Sequence, residues 1–509
     1  MSVPRVRIRG CLRITEPGGE GGRVSSEMES AAMNVWSKPV TSHSFKVGLL
    51  SFSDGRLRVH NTLADTIQRH AAVLAKAIDG DPLLTVTEVC GIAHSSRIAR
   101  DMAREARGAG IEVALFNVPV FAFPNYSLLA ARLLDIPVAL SSPKDGTLPG
   151  LGGIMAAHGA LRQVGLKSRK FWGNPLEEPE LMAELSAYCR AAGVISRMKG
   201  SVYGLIGGRS IGMNTGAVSP QQWMMEFGVD VEHIDQLEIV RRAKDVDEDE
   251  VGRAYSWMTS HMGKISTEGK AAPDNVKQQI RHYIATRGII EDFGLDFVGI
   301  KCHYDLSEYF VTSCLSAMAL NDPYDWNGPK EPIVMACEAD GDGALTMQVL
   351  KLISGYPSLL LDVRGYDFRN EVYVCCNCGA LPSWYAARSD DPGENLAKVF
   401  LEQVIPKYGG GGAHFSYVCR EGEITVARMS RVGGKYHMFV ARGEFIDFPR
   451  EKTAETCAAW PHGYIRLDIN PKEFIEVFNA NHAHVVPGDH VKALEMYCEL
   501  MGIAVDQAG

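Results

Sequence analysis

Glu338 closes the apolar run Ile333-Val334-Met335-Ala336-Cys337, and Asp362 interrupts Leu359-Leu360-Leu361 ahead of Val363-Arg364. Each carboxylate stands where a strand is expected to meet a loop. In open α/β sheets the carboxyl ends of strands border the ligand crevice, so two acids placed there can converge on one cleft. A lone acid after a strand also serves as a helix N-cap or a solvated loop residue, so the pair is read together with a third group. With an imidazole, two carboxylates make a hard, oxygen-rich site for manganese or magnesium that leaves positions open to water or substrate hydroxyls. Such a metal polarises a carbonyl and its neighbouring hydroxyl, which lowers the cost of an enediolate, while a carboxylate moves the proton between adjacent carbons. The imidazole is sought in His482-Ala483-His484. On an extended segment these two rings are expected to point opposite ways, so that one of them serves as a ligand.

Other motifs fail on inspection. Neither Gly150-Leu151-Gly152-Gly153 nor Gly207-Gly208-Arg209-Ser210-Ile211-Gly212 satisfies G-x-G-x-x-G, and no phosphate-binding P-loop pattern occurs. Asp340-Gly341-Asp342-Gly343 suggests a calcium loop, but it lacks the third acidic position and carries Lys351 where the terminal glutamate belongs. Cys375-x-x-Cys378 has no second ligand pair at a zinc-like spacing and reads as packed thiols in a buried strand.

The elements that must position these residues follow from the hydrophobic pattern. From Phe45 short apolar runs alternate with amphipathic segments: Val47–Phe52, Thr62–Ile78, Leu84–Val89, Ser96–Arg107, Val113–Val118, Ser127–Leu134 and Pro137–Leu140. Repeated strand-helix alternation implies a parallel sheet with helices on both faces. A similar alternation restarts after Gly193, with strands at Ser201–Ile206, Leu295–Ile300 and Ile333–Ala336, and Ser358–Val363 is expected to extend that second sheet. Helices are expected at Gln221–Phe227, Glu248–His261 and Asp274–Ile290. From Glu371 the runs crowd together between glycine-rich turns, which predicts antiparallel strands and a closing helix near Val491–Met501. The expected fold is two doubly wound α/β domains (45–195 and 196–354, the second carrying Glu338) and a β-rich, barrel-like C-terminal domain (355–509) carrying Asp362 and His482.

Composition bounds the rest. The chain has 509 residues, 46% hydrophobic and 22% charged, and at roughly 150 residues per domain it holds about three domains. Its net charge of −9 lacks the basic excess of a nucleic-acid binder. No apolar run is long enough to span a membrane, since Leu128 to Leu140 is broken by Arg132 and Asp135. Twelve cysteines, mostly inside apolar runs, fit reduced thiols in a cytoplasmic enzyme. Residues 1–44 combine Arg5, Arg7, Arg9 and Arg13 with a Gly- and Ser-rich stretch that has no sustained period, and read as a flexible tail. A transit peptide is the alternative, opposed by Glu16, Glu20, Glu27 and Glu29.

The block Asp325-Trp326-Asn327-Gly328-Pro329-Lys330-Glu331-Pro332-Ile333-Val334-Met335-Ala336-Cys337-Glu338 resembles the segment carrying the first catalytic carboxylate of L-fucose isomerases, and Asp362-Val363-Arg364, 24 residues on, resembles the second. Asp54-Gly55-Arg56, Met198-Lys199-Gly200-Ser201, Gly207–Gly212, Gly410-Gly411-Gly412 and Asn481-His482 follow in the same order, so the resemblance spans about Lys46 to Ile503. It implies a three-domain ketol isomerase that requires manganese, with magnesium or cobalt as alternatives, and assembles as a hexamer with sites at subunit boundaries. Carried over, Glu338 and Asp362 are metal ligands and the acid-base pair, and His482 is the third ligand with His484 the alternative. Arg56 resembles the arginine that reaches a neighbouring subunit's sugar site, and Arg364 is expected to orient Asp362.

Ile211, Lys301, Asn481 and Ala413 fall where that family touches sugar. Ile211 stands in place of a methionine, Lys301 of a glutamine and Ala413 of a tyrosine. Lys301 offers three donors and a charge to a hydroxyl or acidic substituent, or is an ordinary salt-bridged lysine at a strand end. The resemblance thus implies an aldose-ketose isomerase for L-fucose, D-arabinose or a related monosaccharide, acting through a cis-enediol. An isomerase for L-arabinose or a C6-modified sugar, or a non-catalytic sugar-binding protein, is the alternative.

Overall fold

The computed structural model describes residues 39–506. The expected N-terminal tail lies outside the described residues as far as 38. Its last residues are tied down: the Val40 and Thr41 N–H groups bond the Gly355 carbonyl at 3.0 and 3.1 Å, and the Ser42 N–H bonds Glu331 at 3.0 Å.

Strands β1 (Phe45–Phe52), β2 (Leu84–Ala93), β3 (Val113–Asn117), β4 (Val138–Ser142) and β5 (Ser168–Trp172) form a parallel sheet ordered β2-β1-β3-β4-β5. The side-chain period of two splits its residues between two cores. Val47, Val113, Leu115 and Ala139 pack with Leu185 and Tyr188 of the helix Pro179–Met198. Phe52, Ala114, Phe116 and Leu140 pack with Ala103 and Leu161 on the other face. Burial on both sides explains why the inner strands β1, β3 and β4 read as near-continuous apolar runs.

A second parallel sheet uses β6 (Val202–Ile206) and β7 (Asp230–Ile234) and, beyond the short β8 (Lys264–Ile265), β9 (Phe297–Ile300). After the hairpin β10 (Tyr324–Asp325) to β11 (Gly328–Pro329) comes β12 (Met335–Ala336), giving the order β12-β9-β6-β7. The helix Gly341–Ser354 follows, with every residue buried. It packs against β9 and β12 on one side and against strands of the C-terminal sheet on the other, so its polar residues are buried too: Lys351 donates to the Pro332 carbonyl at 2.9 Å and the Tyr436 hydroxyl donates to Asp342 at 2.8 Å.

The C-terminal strands are β13 (Leu359–Asp367), β14 (Val372–Cys376), β15 (Phe400–Gln403), β16 (Ala413–Ser416), β17 (Gly422–Val432), β18 (Lys435–Phe445), β19 (His462–Leu467), β20 (His482–Pro487) and β21 (Ala504–Asp506). Seven of them form one sheet ordered β17-β20-β13-β14-β19-β18-β21, in which β17 also pairs with β18, so the ladder returns on itself. That hairpin turns at Gly433-Gly434, both at positive φ (59° and 82°), the geometry a two-residue turn between twisted strands demands. β15 pairs with β16 and with β8.

One strand is not where its sequence suggested. Leu359–Asp367 does not extend the second sheet; it pairs antiparallel with β14 and β20 in the C-terminal sheet. An apolar run states that a strand is buried but not which neighbour hydrogen-bonds to it, and the left-handed Gly355 (φ 75°) redirects the chain just before it. Among the described residues no helix is long and apolar enough to cross a membrane.

Candidate active site

Three elements converge where the second sheet meets the C-terminal one. Glu338 lies two residues past the end of β12, in the short turn Cys337–Ala339, close to the strand end where its carboxylate was expected. Its backbone is left-handed, at φ 58°, and so is that of Ala339, at φ 51°. Non-glycine residues held there cost about 1 to 3 kcal/mol each and persist only where the surroundings fix them. The close approach of β9 does part of that: a Cβ on Gly299 would lie 3.3 Å from the Ala339 Cα and 2.1 Å from the Tyr203 hydroxyl.

Asp362 sits differently from its expected place. It is inside β13, opposite Cys376 on one side and His482 on the other, and the strand runs on to Asp367. Antiparallel pairing with β20 therefore brings Asp362 and His482 together directly. The register places His482 opposite Asp362 and His484 opposite Leu360. The expectation that the two imidazoles point opposite ways is wrong, because residues two apart on a strand share a face. They differ in what they meet along that face. The His482 Nε2 lies 3.4 Å from Asp362 Oδ1 and 3.5 Å from Glu338 Oε2. His484 is fully buried, without a hydrogen-bond partner for either ring nitrogen among the described residues, and its Nε2 lies 2.7 Å from where a Cβ on Gly343 would be.

The His482 ring is fixed from behind. Its Nδ1 is 2.7 Å from Asp340 Oδ2, and an ionised carboxylate only accepts, so Nδ1 carries the proton. Asp340 also accepts the Gly343 N–H at 2.8 Å as N-cap of the helix Gly341–Ser354, and it pairs with Arg428, itself 1% exposed. The Arg428 guanidinium is anchored on the Thr215 carbonyl at 2.8 Å. Burial alone would raise the Asp340 carboxyl, but Arg428 and His482 hold it well below the usual range. For His482 burial acts downward, and the carboxylates of Asp340, Asp362 and Glu338 outweigh it, raising the imidazole well above its ordinary value. Its Nε2 makes no hydrogen bond among the described residues. The imidazole is closed off (1% exposed), while the side chains of Glu338 and Asp362 are 14% and 23% exposed, so the site opens on the carboxylate side.

His303 adds a second imidazole, with Nε2 3.7 Å from Glu338 Oε1 and 3.3 Å from the Tyr408 hydroxyl, its ring stacked on Tyr408 at 4.9 Å. The loop after β6 skirts this pair. The Ser210 hydroxyl donates to the His303 carbonyl at 3.2 Å, and Ile211 beside it is 51% exposed. Asn481 directs its side-chain amide N–H at Met213 Sδ, 3.8 Å away, and its backbone carbonyl accepts the Val363 N–H at 2.9 Å. Ile211 and Asn481 thus stand at the rim. Lys301, at the end of β9, has its ammonium 2.6 Å from Asp305. Ala413 is buried in β16. Arg364 lies over the Trp460 ring at 5.5 Å. Arg56 lies in the loop after β1, at the N-cap of the helix Leu57–Asp79, where a side chain 71% exposed is gripped by Asp54 at 2.6 Å.

Asp340 and His303 were not singled out by sequence. Asp340 carried a usable signal, an N-cap acid one residue before a buried helix; His303, between an apolar strand and a short helix, carried none. Among the described residues no three His, Cys, Asp or Glu side chains already enclose a metal position. The donors of Glu338, Asp362 and His482 form an open set: two partly exposed carboxylates and a buried ring nitrogen that makes no hydrogen bond among the described residues.

Two family models match the chain. The first N-terminal domain of L-fucose isomerase matches residues 44–200, and the C-terminal domain of L-fucose isomerase matches residues 375–508. The L-fucose isomerase of Vibrio vulnificus is 23% identical over 363 residues, covering 63% of this chain and 61% of its own. That of Haemophilus influenzae is 23% identical over 379 residues (65% and 62%), and that of Phocaeicola vulgatus 24% over 374 (63% and 61%). The chain therefore spans about three fifths of the length of the curated relatives it matches.

Proposed function

Because the chain belongs to the L-fucose isomerase family, we propose that it interconverts an aldose of the L-fucose or D-arabinose type and the corresponding ketose. The returning ladder of the C-terminal sheet is read as a barrel that carries Asp362 and His482. The observation that supports the reading best is the His482 Nε2, buried, without a hydrogen bond, and facing Glu338 and Asp362 at 3.5 and 3.4 Å.

Glu338, Asp362 and His482 would hold a divalent cation, manganese by preference. The donor chemistry fits: a histidine whose other nitrogen is tied to a carboxylate, here Asp340, has the arrangement that fixes tautomer and ring orientation in metal sites, and two carboxylates suit a hard ion. When bound, such an ion supplies polarisation of the sugar carbonyl and adjacent hydroxyl. Glu338 and Asp362 are the proton carriers. One takes the C2 proton of the open-chain aldose as the enediol forms, and a proton returned at C1 completes the ketose. The intermediate is a cis-enediol, its two oxygens on one side of the C1–C2 double bond. Ile211 and Asn481 border the sugar, and Lys301 faces it across its Asp305 pair. Arg56, held outward by Asp54, serves a neighbouring subunit of a hexamer. The cell compartment is the cytoplasm.

Purified chain incubated with manganese and a panel of L-fucose, D-arabinose and L-arabinose should form ketose, and Glu338→Gln should lose that conversion by about 100-fold or more. Tight sugar binding with no ketose would reverse the reading in favour of a sugar-binding protein.

A further inference from the structure

A cluster of thiols borders the carboxylate site and has no part in the scheme above. Cys302, Cys314, Cys337 and Cys378 are free and between 3% and 8% exposed. They arrive from four separate segments, and Cys337 is the residue directly before Glu338. The Cys337 and Cys378 sulfurs are 3.7 Å apart. The Cys314 thiol donates to the Cys378 carbonyl at 3.0 Å and lies 3.5 Å from His414 Nδ1, while Cys302 accepts the Ser313 N–H at 3.3 Å. Cys314 and Cys302 also make these backbone contacts, and the sulfur–sulfur contact is that of Cys337 with Cys378. Hydrogen bonding from Cys314, Cys337 and, against burial, His303 holds the Cys378 thiol well below its ordinary range.

We propose that Cys337 and Cys378 form an oxidisable pair: a hydroperoxide converts them to a disulfide, and closing that bond draws Glu338 out of position. The Cys378 sulfur attacks one peroxide oxygen; the O–O bond breaks, Cys378 becomes a sulfenic acid, and the other oxygen leaves as water after taking a proton. The Cys337 sulfur then attacks the sulfenic sulfur; the S–S bond forms, the S–O bond breaks, and the hydroxyl leaves as water with the Cys337 proton. Two thiols lose two electrons and hydrogen peroxide gains them, giving two waters.

The consequence for Glu338 is mechanical. A disulfide sulfur pair sits about 2.05 Å apart, so closure shortens the 3.7 Å gap by about 1.7 Å. The interior there is packed at crystal-like density and transmits such a shift. The next two residues, Glu338 and Ala339, already occupy the left-handed region and have little freedom left to absorb it. The effect on turnover rests on the isomerase reading; the bond itself does not.

The test is peroxide titration of the full chain in chelator, followed by alkylation of remaining thiols and peptide mapping. The expected result is a Cys337–Cys378 linkage, absent in Cys378→Ser and Cys378→Ala and fully reversed by dithiothreitol. After removal of peroxide, aldose conversion and manganese affinity should fall with the linked fraction, conversion by about 100-fold at full linkage, since misplacing a reacting group by 1 Å can cost that much. Thiols that stay alkylatable, or a linkage through Cys302 or Cys314 instead, would overturn the pairing. Linkage with unchanged manganese affinity and conversion would overturn the coupling to Glu338. A chain that converts no aldose before oxidation but still forms the linkage and loses manganese would sink the isomerase reading and leave the pair standing.

Discussion

Asp340 and His482, 142 residues apart in the chain, share a 2.7 Å hydrogen bond that sets which nitrogen of the imidazole faces the two carboxylates. The same Asp340 caps a buried helix and neutralises the buried Arg428. One side chain therefore couples the packing between the two sheets to the orientation of a site residue. Asp340→Asn separates those roles. Asparagine caps a helix as well as aspartate, so the helix start survives, but Arg428 loses its counter-charge, which costs about 3 to 5 kcal/mol for a buried pair. Manganese affinity should drop about 10- to 100-fold, the usual effect of losing the partner behind a metal-binding histidine. Adding Arg428→Gln should recover stability in urea titrations without recovering affinity. Recovery of both together would mean that Asp340 acts only through the fold.

Gly299 predicts a second coupling. A Cβ there would meet the Tyr203 hydroxyl at 2.1 Å, and that hydroxyl is buried without a hydrogen-bond partner among the described residues. Gly299→Ala should destabilise the chain by about 1 to 3 kcal/mol through overpacking and disturb Ala339 next to Glu338. Tyr203→Phe removes the clashing oxygen and an unsatisfied polar group, so alone it should be neutral or stabilising by up to about 1 kcal/mol. In combination the loss should shrink. Thermal unfolding of the four chains reads the cycle directly, and strictly additive effects would be the contrary result.

Much of the fold was legible, and the places where it was not have physical causes. β1, β3 and β4 announced themselves because both faces of their sheet are covered, which leaves unbroken apolar runs. Leu359–Asp367 carries the same kind of run, yet its pairing partners lie far along the chain at β20, and nothing local encodes that. Glu338 was legible as a strand-end acid. Asp362 was found for a reason the structure does not support, since its strand continues past it. Asp340 stands in an Asp-Gly-Asp-Gly stretch that lacks the ligands of a calcium loop, and nothing local encodes that a carboxylate at that helix start faces a histidine 142 residues away. His482 and His484 show the cost of mistaking strand parity: the sequence places both rings on one face, and only the position along β20 distinguishes them.

Asp342 gives a pH dependence with a definite sign. Burial raises its carboxyl from 3.8 to about 6, with Asp340 adding to the rise against Arg431 and Arg428. The folded chain thus holds this proton more tightly than the unfolded one. Its contribution is fully present below 3.8 and is lost as pH rises through about 6, up to about 3 kcal/mol at 1.36 kcal/mol per unit. Asp342→Asn cannot titrate, so its stability curve should be flatter than that of the parent chain across this window. Urea midpoints at a series of pH values decide it, and parallel curves for the two chains would remove Asp342 as the cause.

Arg56 separates a site within one chain from a site shared between chains. Its guanidinium is exposed and oriented by Asp54 in the loop that follows β1, whereas Glu338, Asp362 and His482 meet between the other two sheets. If Arg56 completes the sugar site of a neighbouring copy, Arg56→Ala chains are impaired in sugar binding and Glu338→Gln chains in proton transfer. Mixed assemblies then contain sites with Glu338 from one chain and Arg56 from another. Co-expression of the two variants should restore part of the ketose-forming rate, and the restored rate should rise as the two are brought to equal amounts. Arg56→Ala assayed alone should show a raised KM with metal affinity unchanged, because nothing it touches reaches His482. No recovery on mixing, with both variants confirmed in the same assemblies, would confine Arg56 to the surface of its own chain and leave its Asp54 pair as an ordinary exposed ion pair.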